Sequence, residues 1–211
     1  KLRKIFYLTK CSRMDCWIGP SDGSNFRFKS AVTQPYKSNR GEKPPLLAEL
    51  KEYMKMVHGA QEIHGYEADD ALGIYQTDTS IAVHCDKDIF MVEGLHLNTM
   101  TDQITMVTDP GELHVSGKAL KGTGIAFFYA QMLMGDPTDT IPSLAKGYGP
   151  VKIQKVFEGC DSESSYFDKI KTEYVNQIGL GWEERMQEQA DLVYIVRNDR
   201  IKGSEYIRRF L

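Results

Sequence analysis

Acidic residues in this chain stand in tight groups that are separated by long stretches of sequence. The groups contain Asp22, Glu67, Asp69, Asp70, Asp86, Asp88, Asp136 and Asp139. If the fold brings these groups together, their negative charges repel one another unless a positive charge lies between them. Divalent cations supply that charge most simply, and pairs of such ions held by carboxylates act on phosphates. The groups therefore predict a site for two ions of Mg²⁺ or Mn²⁺.

The remainder of the chain carries the opposite charge. The 211 residues include 29 acidic and 26 basic side chains, for a formal net charge of −3. Removing the eight grouped acids leaves 21 acids against 26 bases, a balance of +5. This distribution suits a polyanion that a mildly basic surface holds while one phosphodiester reaches the acidic site.

Composition limits the class of protein. The chain is 41% hydrophobic and 26% charged, as in ordinary globular proteins, and it is long enough to bury a core in one domain or one and a half. We expect no membrane span and no signal peptide, because the apolar runs are short. The four cysteines lack zinc-like spacing and are expected to be reduced thiols. The histidines are scattered, and no serine–histidine or cysteine–histidine pair competes with the acids.

Strand and helix patterns alternate in the first part of the sequence. Apolar spacing predicts a helix in KPPLLAELKEYMKMVHG and another over 67–76. Strands are expected at 81–85 and, as a pair, at 96–99 and 104–108. We therefore expect an α/β fold over 1–120, with a mostly parallel central sheet flanked by helices.

The sequence after residue 120 is predominantly helical. GIAFFYAQMLMG, VKIQKVFEG and WEERMQEQADLVYIVRN are predicted helices. The segment 159–181 gives no firm prediction beyond a loop with a short helix. The final IKGSEYIRRFL fits either a strand or a frayed tail. Residues 121–211 are therefore expected to form a helical part that follows the α/β core.

The periodicity of each element shows how its acids can face one site. On a helix, Glu67 and Asp70 share a face, Asp69 lies beside Asp70, and acids in the first turn suit the helix dipole. Asp86 and Asp88 follow a buried strand, at the sheet edge where α/β proteins bind ligands. Either group alone also fits an ordinary acidic helix start or a solvated turn. Two groups at the same edge favour a metal site.

A glycine-containing turn follows the last acidic group. Gly147 and Gly149 come after Asp136 and Asp139 and open a helix that carries Lys152. Free backbone N–H groups at such a helix start can meet a phosphate without reading sequence. An ordinary corner between two helices gives the same pattern, so this feature alone decides nothing.

Four segments, in order, resemble the 5′ nuclease family. GYEADDALG, CDKDIF and GDPTDTIPSLAKGYGPVKI are similar to its metal-binding and DNA-binding motifs, and NFRFKSAVTQPYKSNRGEKPP resembles the segment that carries basic residues into a helical arch. The family includes flap endonucleases, the N-terminal exonuclease domain of bacterial DNA polymerase I and phage 5′-exonucleases. The short arch segment and small size look most like the phage enzymes. The resemblance covers about 21–197, and implies a PIN/5′-nuclease-like fold with an arch segment at 25–45 and a helix–three-turn–helix motif at 124–158.

The resemblance also implies roles for individual residues. Glu67, Asp69, Asp70 and Asp86 would lie nearest the first ion, Asp88, Asp136 and Asp139 around the second, and Asp22 would belong to the same metal set. The implied catalytic residues are Asp86, which would act at the metal site, and Lys37 and Arg40, which would steer and polarise the scissile phosphate. Tyr36 would stack near a terminal base. The implied DNA-binding residues are Arg27, Tyr36, Lys37, Arg40, Lys146, Gly147, Gly149 and Lys152. In the family, a potassium ion often lies in the glycine-containing turn.

One part of the family pattern has no match here. Members normally begin with an apolar strand that ends in an aspartate, whereas no such strand precedes Asp22 and Asp15 lies in an unsuitable context.

The implied activity is that of a metal-dependent structure-specific 5′ nuclease. It would hydrolyse phosphodiester bonds at 5′ ends or flaps of duplex DNA and RNA–DNA hybrids, in viral replication or primer removal. We expect a monomer in the cytoplasm of a bacterium or a phage-infected host cell. Two alternatives stay open: a non-catalytic DNA-junction-binding protein of the same fold, and a small metal-dependent ribonuclease.

Overall fold

The computed structural model describes residues 1–20, 22 and 24–211. The helices are α1 (Leu2–Thr9), α2 (Arg27–Ser30), α3 (Leu47–His58), α4 (Ala68–Tyr75), α5 (Gly124–Met134), α6 (Pro150–Val156), α7 (Glu163–Ile178), α8 (Trp182–Val193) and α9 (Gly203–Arg208). The strands are β1 (Trp17–Ile18), β2 (Gln61–Glu62), β3 (Ile81–His84), β4 (Gly94–Asn98), β5 (Gln103–Val107), β6 (Leu113–Ser116) and β7 (Ala119–Gly122). Short 3₁₀ helices cover Asp88–Met91 and Pro137–Asp139.

The described strands form three small sheets. β1 pairs with β2 and β3 with β4, both in parallel, while β5 adds to β4 in the antiparallel sense and β6 and β7 form a hairpin. The α/β class is therefore confirmed, with parallel pairing in its first part. The predicted central sheet is divided, because β1 and β2 are only two residues long and β1 packs against α4. Trp17 stacks on Tyr75 of α4, with 4.3 Å between ring centroids.

Local sequence signals place several helix ends correctly. α3 ends at Gly59, whose φ of 63° lies in the left-handed region that glycine adopts without a steric cost. α4 begins after Glu67, whose backbone N–H donates to Asp70 Oδ2 at 2.9 Å. Sequence patterns were less informative further along the chain: α7 occupies most of the undecided segment, and α9 occupies the ambiguous C-terminal one. The predicted long helix near 182–198 ends at Val193.

A hydrophobic core runs across the boundary expected at residue 120. Its centre is α5, which is buried from Gly124 to Leu133 and packs against α7, α8 and the 3₁₀ helix Asp88–Met91. Ala71 and Ile89, from the first part of the chain, belong to the same cluster. The acids that follow β3 and those that follow α5 are therefore fixed to one core.

α1 and α3 contribute no buried side chain. Leu50, Tyr53 and Met56 of α3 are all more than half exposed, so the apolar spacing that made this helix predictable does not mark a core-facing stripe. The described helices are also too short or too polar to cross a lipid bilayer.

Candidate metal centre

Six of the eight grouped acids line one cavity of about 200 Å³. They come from three stretches: the start of α4, the turn after β3, and the two sides of the 3₁₀ helix Pro137–Asp139. The six are Glu67, Asp69, Asp86, Asp88, Asp136 and Asp139. Groups that lie far apart in sequence thus share one pocket, as their patterns predicted.

Short turns fix the direction of these acids. Asp86 Oδ1 accepts from the backbone N–H of Asp88 at 3.0 Å, and Asp136 Oδ1 accepts from that of Thr138 at 2.8 Å. The backbones of Asp136 and Ile141 exchange two hydrogen bonds, at 2.8 and 2.9 Å. These contacts hold the carboxylates at the ends of elements that the core already positions.

Lys37 and Arg40 neutralise two of the acids. The ammonium of Lys37 lies 2.5 Å from Glu67 Oε1 and 3.4 Å from Asp139 Oδ2, and Arg40 Nη2 lies 2.7 Å from Asp139 Oδ1. The Lys37 backbone N–H also donates to the Asp139 carbonyl at 2.8 Å. Lys37 has a φ of 56°, a backbone conformation that is uncommon for residues other than glycine. The contacts of Lys37 with Glu67 and Asp139 must therefore offset the free-energy cost of this conformation.

Two further residues of the cavity, Lys87 and Gln131, are not among the site residues predicted from the sequence. Lys87 Nζ lies 2.9 Å from Asp88 Oδ1 and 3.2 Å from Asp136 Oδ2, and the Gln131 amide donates to Asp88. The position of Lys87 between Asp86 and Asp88 in CDKDIF is a signal that could have been used. Gln131 lies within the otherwise apolar helix α5, and its polar side chain is the only local signal that could have marked it as a site residue.

The repulsion predicted from the sequence is concentrated at Asp69. Burial, and then the charges of Asp86 and Glu67, raise the pKa of Asp69 from 3.8 to about 7. Burial also raises the pKa of Asp88 against the opposing effect of Lys87. Among the described residues, neither Asp69 nor Asp86 belongs to an ion pair. This side of the cavity is therefore the part with the most uncompensated negative charge.

Asp70 does not line the cavity, which corrects its predicted place among the metal ligands. It is fully buried and forms a two-pronged ion pair with Arg27, with N–O distances of 2.6 and 2.8 Å. Its Oδ1 also accepts from the Val196 backbone N–H at 3.0 Å. Both carboxylate oxygens of Asp70 are thus already used in contacts within the protein.

The predicted DNA contact of Arg27 is corrected by the same ion pair. Arg27 is 2% exposed, and its guanidinium also donates to the backbone carbonyls of Leu192 and Tyr194. The acids of α4 attract this side chain inward. Arg27 is therefore a structural residue that joins α2, α4 and the end of α8.

Tyr36 and Asp22 also differ from their predicted roles. Tyr36 is 5% exposed, its ring packs edge-on against Phe28, and its hydroxyl lies within hydrogen-bonding distance of Glu67 and Asp139. Its ring is therefore unavailable to stack on a base. Asp22 is exposed and outside the cavity, because its carboxylate turns back to accept from the Ser24 N–H at 2.8 Å.

The predicted DNA-contacting turn lies between α5 and α6. Lys146 and Gly147 are exposed there, and Gly147 has a φ of 91° that favours glycine. Gly149 directly precedes α6. Lys152 is exposed, with its ammonium 3.4 Å from the centroid of the Tyr148 ring. These backbone and basic groups are accessible to a polyanion.

The donor set fits hard divalent cations, because carboxylate oxygens are the ligands that Mg²⁺ and Mn²⁺ prefer. Within the described residues, however, no three acids, histidines or cysteines already converge on one point as a formed ligand set. Lys37, Arg40 and Lys87 lie between the carboxylates instead. Ion binding would therefore require these basic side chains to give way.

Comparison with solved structures shows the same fold in a phage protein. The phage T5 D15 protein, co-crystallised with metal ions, matches with a TM-score of 0.64 and 18% identity, over 91% of this chain and 79% of that one. The bacteriophage T5 D15 flap endonuclease, in a pseudo-enzyme–product complex with DNA and metal ions, matches with a TM-score of 0.58 and 16% identity, over 99% and 87%. No protein-family model and no curated protein sequence matches the chain. The chain therefore has the fold of the T5 D15 protein, although the sequence identity between the two is low.

Proposed function

We propose that this chain is a divalent-metal-dependent structure-specific 5′ nuclease. The observation that carries the proposal is the convergence of six carboxylates from three distant stretches in one cavity. The likeness of the fold to a flap endonuclease that is crystallised with DNA and metal ions supports it. Substrates would be 5′ ends or flaps of duplex DNA and of RNA–DNA hybrids.

In this proposal the cavity holds two ions of Mg²⁺ or Mn²⁺. Glu67, Asp69 and Asp86 would hold one, and Asp88, Asp136 and Asp139 the other. Bound ions supply an activated water nucleophile and stabilise the leaving oxygen. Burial, and then the charges of Asp86 and Glu67, raise the pKa of Asp69, and a bound cation would offset both by favouring the ionised carboxylate.

The basic residues of the cavity would exchange partners when substrate is bound. Lys37 and Arg40 would leave Glu67 and Asp139 and contact the scissile phosphate, whose oxygens accept the same charge-assisted hydrogen bonds. Asp86 would lie closest to the reacting centre. Lys87 would stay with Asp88 and Asp136 and limit the repulsion between them.

Residues 121–211 would supply most of the duplex contact. Lys146 and Lys152 would neutralise backbone phosphates, and the N–H groups around Gly147 and Gly149 would donate to them, with a potassium ion in this turn. Such contacts are independent of base sequence, as a structure-specific nuclease requires. We propose a monomer that acts in the cytoplasm of a bacterial or phage-infected cell, in viral replication or primer removal.

Cleavage of labelled flap and blunt duplexes, with and without Mg²⁺, tests this function. We expect Mg²⁺-dependent release of 5′ products. Asp86→Ala and Asp136→Ala should reduce turnover far more than DNA affinity, while Asp168→Asn, at an exposed acid of α7, should change neither. No cleavage by the folded protein, or an equal loss of affinity and turnover, would contradict the proposal. A preference for single-stranded RNA would favour a ribonuclease.

One observation favours a non-catalytic DNA-junction-binding protein as the second candidate. Lys37, Arg40 and Lys87 already neutralise four of the six acids, and no formed ligand set is present among the described residues. Such a protein would bind branched DNA with the same affinity in EDTA and in Mn²⁺. The nuclease, in contrast, should show two coupled Mn²⁺ sites.

A further inference from the structure

Two histidines lie side by side beneath the turn that carries Asp86 and Asp88. His84 ends β3 and His96 lies in the adjacent strand β4, with 7% and 0% of their surfaces exposed. Burying two imidazoles costs free energy unless their nitrogens find partners. An aliphatic side chain would fill the same space without that cost, so the contacts of the rings are informative.

The ring nitrogens form a line of three contacts that ends at Asp86. Nδ1 of His84 lies 2.6 Å from the Asp86 carbonyl oxygen, and its Nε2 lies 3.1 Å from Nδ1 of His96. Nε2 of His96 lies 2.7 Å from the carbonyl oxygen of Val92. Phe90 packs against both rings, with centroid distances of 4.8 and 5.3 Å, which restricts their rotation.

The number of hydrogens limits how these contacts can be made. A neutral imidazole carries one N–H, and a ring nitrogen that faces a carbonyl oxygen must carry that hydrogen to form a hydrogen bond. Two N–H groups can satisfy only two of the three contacts at once. A carbonyl only accepts, and the contact to Asp86 is the shortest of the three, so Nδ1–H of His84 is assigned to it.

We propose that His84 is a positioning residue for the metal centre, an inference that rests on the proposed nuclease function. Its Nδ1–H holds the carbonyl of Asp86, whose side chain in turn accepts from the backbone of Asp88. One imidazole thereby restrains the turn whose backbone carries both Asp86 and Asp88, the carboxylates proposed for the two ions. The ring of His96 packs edge-on against that of His84, with 5.2 Å between ring centroids.

Substitutions at residue 84 separate positioning from packing. His84→Leu fills the space but has no donor, whereas His84→Asn places an amide N–H close to the former Nδ1. The matched controls are His114→Leu and His114→Asn, at an exposed histidine of β6. Mn²⁺ affinity is measured by calorimetry, and kcat and KM on a flap duplex are measured separately.

We expect His84→Leu to weaken Mn²⁺ binding by about 10- to 100-fold, the usual effect of removing a partner that orients a ligand. It should lower kcat and leave KM for DNA unchanged, and His84→Asn should recover most of both losses. Unchanged Mn²⁺ affinity in a folded His84→Leu protein would overturn the inference. Equal losses in the Leu and Asn variants would also overturn it, because packing alone would then explain the effect.

The tautomer of His84 gives a test that needs neither ion nor substrate. Long-range ¹H–¹⁵N correlation spectra of the unsubstituted, metal-free protein should show the hydrogen of His84 on Nδ1. A hydrogen on Nε2 would overturn the inference even if His84→Leu fails to fold. If the unsubstituted protein binds no Mn²⁺, the proposed function fails, while the tautomer still reports whether His84 holds Asp86.

Discussion

Replacing Asp69 by asparagine should stabilise the metal-free protein and do so only at high pH. The pKa of Asp69 is raised from 3.8 to about 7, mainly by burial and by the charges of Asp86 and Glu67. A group whose folded pKa is raised in this way binds its proton more tightly when folded than when unfolded. An acid of this kind therefore costs stability above its folded pKa and costs nothing below its unfolded pKa.

The size of the effect follows from the shift. About three pKa units at ~1.4 kcal/mol each give an upper limit of ~4 kcal/mol, because the unfolded chain is not free of local charge. Asp69→Asn keeps the shape of the side chain and removes the charge. We expect it to raise the free energy of unfolding by about 2–4 kcal/mol near pH 8 and by roughly zero near pH 4.

Urea denaturation in EDTA, followed by circular dichroism at several pH values, measures this difference. Asp168→Asn, at an exposed acid, is the control and should show no pH-dependent gain. Added Mn²⁺ should reverse the order of stability, because the unsubstituted protein binds the ion more tightly and gains more from it. A gain that is equal at both pH values, or a loss near pH 8, would refute the reasoning.

Three further substitutions test other parts of the structure. Asp70→Ala should lower the free energy of unfolding by about 3–5 kcal/mol in urea denaturation, because it leaves the buried guanidinium of Arg27 without its partner. A loss below ~1 kcal/mol would contradict the importance of this buried ion pair. Gly73→Ala should lower the free energy of unfolding by about 1–3 kcal/mol in the same assay, since the added Cβ would lie 2.3 Å from the Val196 carbonyl oxygen. An unchanged urea midpoint of unfolding would disprove that close approach. Lys152→Ala should weaken duplex binding for all sequences and reduce the salt dependence of log K by about one unit; an unaltered salt slope would remove this residue from the interface.

Much of the fold could be predicted because local signals agreed with it. The start of α4, the end of α3 at Gly59 and the strand β3 coincide with capping, glycine and apolar patterns. α7 is longer than the short helix expected in its segment. Its length is hard to predict because apolar residues such as Tyr166, Phe167 and Ile170 are spread among charged ones, and the segment begins and ends in glycine-containing turns. The division of the sheet depends on strand pairing, which local patterns do not determine.

The candidate site could be predicted as a set of acids but not as individual contacts. Asp69 and Asp70 are identical neighbours in sequence, yet one faces the cavity and the other pairs with Arg27 inside the core. Which of the two turns inward depends on a basic residue more than 40 positions away. Lys87 acquires its role in the same way, through Asp136, which another element brings to it. The partner of His84 lies two residues along its own turn, but the packing that fixes the ring comes from β4.

The number of Mn²⁺ ions bound per chain tests the central claim most directly. Electron paramagnetic resonance titration of metal-free protein near pH 8 counts free and bound ions without reference to any substrate. The account predicts two bound ions, with Asp69→Asn and Asp136→Asn each weakening a different one. Failure to bind Mn²⁺, or binding that neither substitution changes, would show that the six carboxylates do not form a metal centre.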